Sequence, residues 1–316
     1  MSSLFKKPSE LEFVTTIKML VYGQPGIGKS TMALSAPSPV MFDFDEGLKR
    51  VHVAFHCPSL QVKSWEEALQ ALDELKTGEV EYSTIVIDTV GKMLDFMSDY
   101  IMRKDSKMKQ RDGSLSLKGY GARKVMFQNF LRQVSQMGKH IVFVAQEREE
   151  NEGDDKIVRP EVGGSSTGDL IRELDLVGYV QAVGANPTVF WTPQEKFYAK
   201  NTCNLPAWQK IPVIIDAKGN VTQQNDTLQK VFAYHENNVK KIEETRKRYN
   251  DLISEIELAI ENITDAKSAN EFAKAIASSE IIWDSKVRAR ELFKVKVEQL
   301  KLKWNANTKT YEEAAA

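Results

Sequence analysis

Eight residues, Gly23-Gln24-Pro25-Gly26-Ile27-Gly28-Lys29-Ser30, constrain this chain more than any other stretch. They match the pattern G-x-x-x-x-G-K-[ST] without a gap. An apolar run, 17–22, leads in, and Ser30-Thr31-Met32-Ala33-Leu34 can open a helix. Strand, glycine turn and helix in that order make a phosphate cradle. The glycines let backbone N–H groups turn inward, and the helix N-terminus adds partial positive charge. The cradle would run from Gly23 through Thr31. Lys29 is placed to reach β- and γ-phosphates, and the Ser30 hydroxyl to ligate Mg²⁺. The plainer alternative is a Gly/Pro turn between a strand and a helix. The full motif and its flanks speak against it.

A nucleoside triphosphate bound there needs a carboxylate that holds the metal. Thr84-Ile85-Val86-Ile87-Asp88 is an apolar strand ending in an acid, which makes Asp88 the candidate, with helix capping as its alternative role. Hydrolysis also needs a base for the attacking water. Phe42-Asp43-Phe44-Asp45-Glu46-Gly47 sets three acids at the carboxyl end of a strand over 39–44, where open α/β sheets bind ligands. Asp45 or Glu46 is the candidate base, and the residues alone leave the choice open. Gln146 closes the apolar strand 140–146 and is suited to sensing a γ-phosphate.

Strand and helix patterns alternate through the first two-thirds, which predicts a parallel sheet with helices on both sides. Helices are expected after a capping box at Ser64-Trp65-Glu66-Glu67, over 92–103 and over 122–137. Later strands are expected at 174–180, 188–191 and 211–215, with Asn186-Pro187 as a turn. Beyond 226 the Lys and Glu content rises and strand runs vanish. A small helical appendage is expected over 226–316, with a second capping box at Ser268 and a helix over 285–304, and an ATPase-type domain over 1–225.

The chain has 316 residues, 42 % of them apolar and 28 % charged, with a net charge of −1. Contact with nucleic acid must therefore come from a local basic patch. One candidate is the stretch 103–124, with Arg103, Lys104, Lys107, Lys109, Arg111, Lys118, Arg123 and Lys124 against Asp105 and Asp112, and Tyr120 able to stack on a base. A second candidate loop, 147–159, is acidic instead, which does not suit contact with phosphates. No run of about 18 apolar residues exists, so no membrane span is expected, and the N-terminus lacks the apolar core of a signal peptide. Cys57 and Cys203 show no disulfide framework, so an intracellular location is expected. His52, His56 and Cys57 are too few for a metal site.

The order of these parts resembles the RecA-like recombinase ATPases, most closely phage-encoded ATP-binding members that act in single-strand annealing or recombination. The resemblance covers about 14–225 and rests on the phosphate loop, the acidic cluster Asp43 to Gly47, the strand ending at Asp88, the strand ending at Gln146, and Gly163-Gly164-Ser165-Ser166. It implies an α/β fold of RecA-like P-loop NTPase type, a DNA-stimulated ATPase activity, ATP and Mg²⁺ as cofactors, and action in a bacterial host's cytoplasm. It implies self-assembly on single-stranded DNA with ATP between subunits, and 103–124 as a mobile DNA-binding loop. Ala199-Lys200-Asn201-Thr202 is similar to the family's Lys-Asn-Lys element, making Lys200 a candidate finger toward a neighbour's γ-phosphate; Thr202 departs from that pattern. The resemblance also allows a single-strand-binding protein or replication factor as partner. Two further readings are a loading or regulatory ATPase acting on a protein, and, less fitting, a metabolic kinase.

Overall fold

Alternate residues along the apolar strands fall into two separate cores, which is what a sheet covered on both faces requires. The computed structural model describes residues 13–313 apart from 79, 154, 165, 185 and 279–282. The chain divides into two compact units, one of 15–236 and one in which 237–313 join 13–14.

In the first unit, β1 (Lys18–Gly23), β2 (Pro39–Asp43), β3 (Ser59–Gln61), β4 (Thr84–Asp88), β5 (His140–Glu152) and β7 (Leu176–Val183) form the parallel part of the sheet. β6 (Asp155–Pro160) pairs antiparallel with the far end of β5, and β8 (Asn186–Phe190), β9 (Lys200–Asn201) and β10 (Trp208–Lys210) add antiparallel pairings at the β7 side. The order across the sheet is β10-β8-β7-β1-β5-β4-β2-β3. Leu20, Tyr22, Ile85, Ile87 and Phe143 face one core together with α2 (Trp65–Thr77), α3 (Val90–Lys104) and α4 (Leu117–Gln136). Met19, Val21, Val86, Val142 and Val144 face the other, under α1 (Lys29–Ala33) and the start of α6 (Thr227–Glu261). The short α5 (Ser166–Glu173) precedes β7. The expected mostly parallel α/β sheet is thus the observed architecture. The serine half of the capping box forms: Ser64 Oγ accepts from Glu67 N at 3.2 Å, while the Glu67 carboxylate accepts from Lys63 N, one residue before the cap.

Six local expectations are corrected. The acidic stretch 147–159 is a β-hairpin, because Lys156–Glu149 and Arg159–Glu150 pair across β5 and β6. Only the middle of the basic stretch 103–124 lies outside α-helix, and 106–108 there form a 3-10 turn, since α3 runs to Lys104 and Ser116 caps α4 through Gly119 N. The segment 211–215 forms only an isolated bridge, Ile215 to Val221, and the edge strand is β10. Asn186-Pro187 opens β8 instead of turning. The C-terminal region is not wholly helical: after α7 (Ala266–Ser278) and α8 (Trp283–Gln299) comes a hairpin, β11 (Leu302–Asn305) with β12 (Thr310–Glu313). Asp265, not Ser268, caps α7, accepting from Ser268 N at 2.8 Å.

The second unit has its own core, in which Ile256, Ile260, Ile263, Ala269, Ala289, Phe293 and Val297 are buried. Asn270 clamps the hairpin to α7, accepting from Tyr311 N and donating to Tyr311 O.

Candidate functional site

The carboxyl ends of β1, β5, β4 and β2 lie side by side, with Gly23 level with Gln146 and Asp43 level with Asp88. Gly23 is required by close approach, since a Cβ there would stand 2.2 Å from Val180 O. Gly26 and Gly28 adopt φ of 80° and 93°, the left-handed region that L side chains avoid, and nothing lies within 4 Å of where their Cβ atoms would be. The loop is therefore an open backbone cradle. The helix behind it, α1, has five residues and no side-chain cap, so the cradle's N–H groups and Lys29 supply most of the attraction for an anion.

Lys29 is buried and spends its three donors inward: on Gly23 O at 2.9 Å, Gln24 O at 2.7 Å and Gln146 Oε1 at 2.8 Å. Burial pulls its pKa down to about 8, while Asp88, Glu147 and Asp45 act to raise it. Because β5 lies between β1 and β4, the Gln146 amide sits at the lysine.

Asp88 is 1 % exposed, and its Oδ2 has no hydrogen-bond partner among the described residues. Burial pushes its pKa up to about 6, against the Ser30 hydroxyl bonded to it, with Asp43 and Asp45 raising it further. A buried carboxylate beside a serine hydroxyl, with a free oxygen, is a hard-oxygen donor set that suits Mg²⁺. Ser30 and Asp88 fit the metal, and the open loop before them fits a polyphosphate. Among the described residues no cluster of three His, Cys, Asp or Glu side chains could hold another ion.

The three acids at the end of β2 have separate places. Asp43 is buried and accepts from Gly47 N (2.7 Å) and Leu48 N (3.1 Å), folding the turn back over Asp88. Asp45 pairs with Arg50 at 3.0 Å, and its charge acts on both Lys29 and Asp88. Glu46 is exposed and pairs with Lys49, whose hydrogen bond holds its carboxyl below the usual range. Glu147 was not singled out from sequence. Its Oε2 is buried without a partner among the described residues, and its charge reaches Lys29 and Tyr179. Strand alternation past Gln146 is the signal that could have found it, once β5 is known to continue.

Lys200 lies on β9 and donates to Ile171 O (3.2 Å) and Leu174 O (2.5 Å), closing the end of α5. Asn201 and Leu205 hold the following turn. Gly163 and Gly164 both take left-handed φ, of 58° and 62°; Ser165 lies outside the described residues. Of the basic stretch, Arg103 is bound to both oxygens of Glu66, and Lys104 lies over Tyr100. Arg123 sits over Tyr120 at 4.8 Å and donates to Ser98 Oγ, which places Tyr120 on helix α4 instead of a loop. Lys107, Lys109, Arg111 and Lys118 are exposed and in no ion pair among the described residues. Among the described residues no helix is long and apolar enough to cross a membrane.

A family model described as an AAA domain matches residues 15–203, which contain every element of this site. Comparison with curated proteins finds no match. Among solved structures the chain is similar to a KaiC-like protein from the hyperthermophilic archaeon Pyrococcus horikoshii, at 11 % identity and a TM-score of 0.33, over 55 % of this chain and 77 % of that one.

Proposed function

The chain belongs to the AAA domain family, and we propose that it is an ATP- and Mg²⁺-dependent ATPase that assembles with copies of itself on single-stranded DNA, in annealing or strand exchange. The nucleotide arm is supported by the open glycine cradle, the buried ammonium of Lys29 and the unpartnered oxygen of Asp88. Mg²⁺ held by Ser30 and Asp88 would neutralise charge on the β- and γ-phosphates. Asp45 is the better candidate for orienting the attacking water, because its charge acts on both Lys29 and Asp88, whereas Glu46 turns out to Lys49.

One observation carries the coupling to DNA: the Lys29 ammonium is bonded to Gln146. A γ-phosphate competes for that ammonium and frees the Gln146 amide. Gln146 then reports nucleotide state to the β5–β6 hairpin that continues from it. The exposed cations Lys107, Lys109, Arg111 and Lys118 supply phosphate contacts, with Arg103, Lys104, Arg123 and Tyr120 framing them. Lys200 would reach a neighbouring subunit's nucleotide only by giving up its two carbonyls, so its part there depends on assembly.

The test is sedimentation and anisotropy with ATP, with and without a labelled single strand. Lys29→Ala should lower nucleotide affinity by at least about 100-fold. Gln146→Ala should keep nucleotide binding and lose the ATP dependence of DNA affinity. Replacing Lys107, Lys109 and Arg111 with Ala should weaken DNA binding alone. DNA affinity indifferent to both ATP and those three cations defeats the DNA reading.

A further inference from the structure

A second basic stretch lies outside the unit of 15–236. Between residues 285 and 311, eight Lys and Arg side chains stand against two acids, Glu291 and Glu298, in a chain whose net charge is −1. The stretch is bounded by Asp284, Glu312 and Glu313. It ends in the β11–β12 hairpin, which carries Lys303, Trp304 and, in its turn, Lys309, with Lys301 directly before it. All three lysines are exposed and form no ion pair among the described residues. Glu312, opposite Lys303 in the ladder, is bound by Asn305 Nδ2 at 2.9 Å and Thr308 Oγ1 at 3.0 Å.

Trp304 is 53 % exposed, although its strand neighbour Leu302 is buried. It is the outer end of an aromatic series rooted in the unit's core. Phe272 meets Phe293 at 5.1 Å, Phe293 meets Tyr311 edge-on at 5.4 Å, and Tyr311 meets Trp304 at 5.0 Å and 62°. The platform is held in place. Asn270 ties Tyr311 to α7 from both sides, and Asn305 Oδ1 accepts from Asn307 N to close the hairpin turn. A braced indole with half its surface in water, flanked by exposed cations, is a platform on which an unpaired base can stack while phosphates meet ammonium groups.

We propose that the β11–β12 hairpin is a binding site for single-stranded polynucleotide, with Trp304 stacking on a base and Lys301, Lys303 and Lys309 contacting phosphates. Duplex bases are already stacked on one another, so the indole selects single strands. The proposal rests on the polynucleotide reading of the function but uses residues that reading does not touch. It adds a second contact on the unit that lacks the nucleotide site.

The experiment titrates the full chain into a labelled oligothymidylate and follows anisotropy at several salt concentrations. Trp304→Ala should weaken binding about tenfold, and Trp304→Phe should restore most of it. Changing Lys301, Lys303 and Lys309 together to Gln should lower the slope of log affinity against log salt by about 2, at roughly 0.7 per phosphate contact. ATP binding should be unchanged in every variant. Should Trp304→Ala fail to fold, the lysine variant decides, because those side chains lie on the surface. The proposal is overturned if the lysine variant keeps both the affinity and the salt slope of the parent, or if unlabelled duplex competes as well as single strands. Loss of binding only in the Lys107, Lys109 and Arg111 variant sinks this inference and spares the functional reading. A parent chain that binds no oligonucleotide sinks both.

Discussion

Gly178 has no room for a side chain. A Cβ there would stand 2.4 Å from Trp191 Cζ3 and 2.8 Å from Val189 Cγ2, so the indole packs against bare backbone of β7. Gly178→Ala should therefore cost about 3 kcal/mol through overpacking, read as a lower urea midpoint at unchanged m-value. The phosphate-loop glycines were legible in the sequence because a motif names them. Gly178 was not, because its reason is a tryptophan thirteen residues away that folds back over it. Lys29 shows both sides of this. Its identity is announced by the motif, but the amide that holds it, Gln146, is 117 residues away and is brought there by strand order.

β5 connects the parts. It lies between the phosphate-loop strand and the Asp88 strand, so its end can report on both. It also begins with a titratable anchor. Ile17 N donates to His140 Nδ1 at 3.0 Å, and the imidazole stacks on Phe232 at 4.3 Å. Burial first, then His235, lowers the His140 pKa from its ordinary 6.5, while Glu236 opposes the shift. The folded state thus prefers the neutral ring, which alone can accept from Ile17. That contribution is fully present above the unfolded value of 6.5 and is lost as pH falls below it. Urea midpoints should fall between about pH 7.5 and pH 5.5. His140→Gln, whose amide oxygen accepts without titrating, should flatten the fall; an equal slope in parent and variant would assign it to other groups. The far end of β5 carries no strand signal in the sequence, because 147–152 is polar on both faces. Its strand character comes from cross-strand ion pairs such as Lys156–Glu149, which exist only once the hairpin register is set.

In the molecule as a whole, the boundary between compact units falls inside α6. The first turns of that helix bury Leu228, Val231 and Phe232 in the sheet's second core, and Leu228 N donates to Ser35 Oγ. A fragment ending at residue 236 keeps these side chains, whereas one ending at 225 leaves their places empty. Losing even one buried Leu or Phe costs about 2–5 kcal/mol. The shorter fragment should unfold at a markedly lower urea concentration than the longer one, and equal midpoints would mean that α6 adds nothing to this core.

Composition and pattern sufficed for the class of fold and for the place of the glycine loop between a strand and a helix. Apolar runs of strand length and a contiguous loop motif are local properties, and burial of both sheet faces leaves them only one arrangement. They could not say which acid at the end of β2 acts on the lysine, which cations of 103–124 are already paired, or that 302–313 form a hairpin. Those outcomes depend on partners distant in the chain: Arg50 against Asp45, Glu66 against Arg103, Asn270 against Tyr311. Packing alone brings such pairs within bonding distance, because a hydrogen bond or ion pair acts over a few ångströms of space and is blind to separation along the chain.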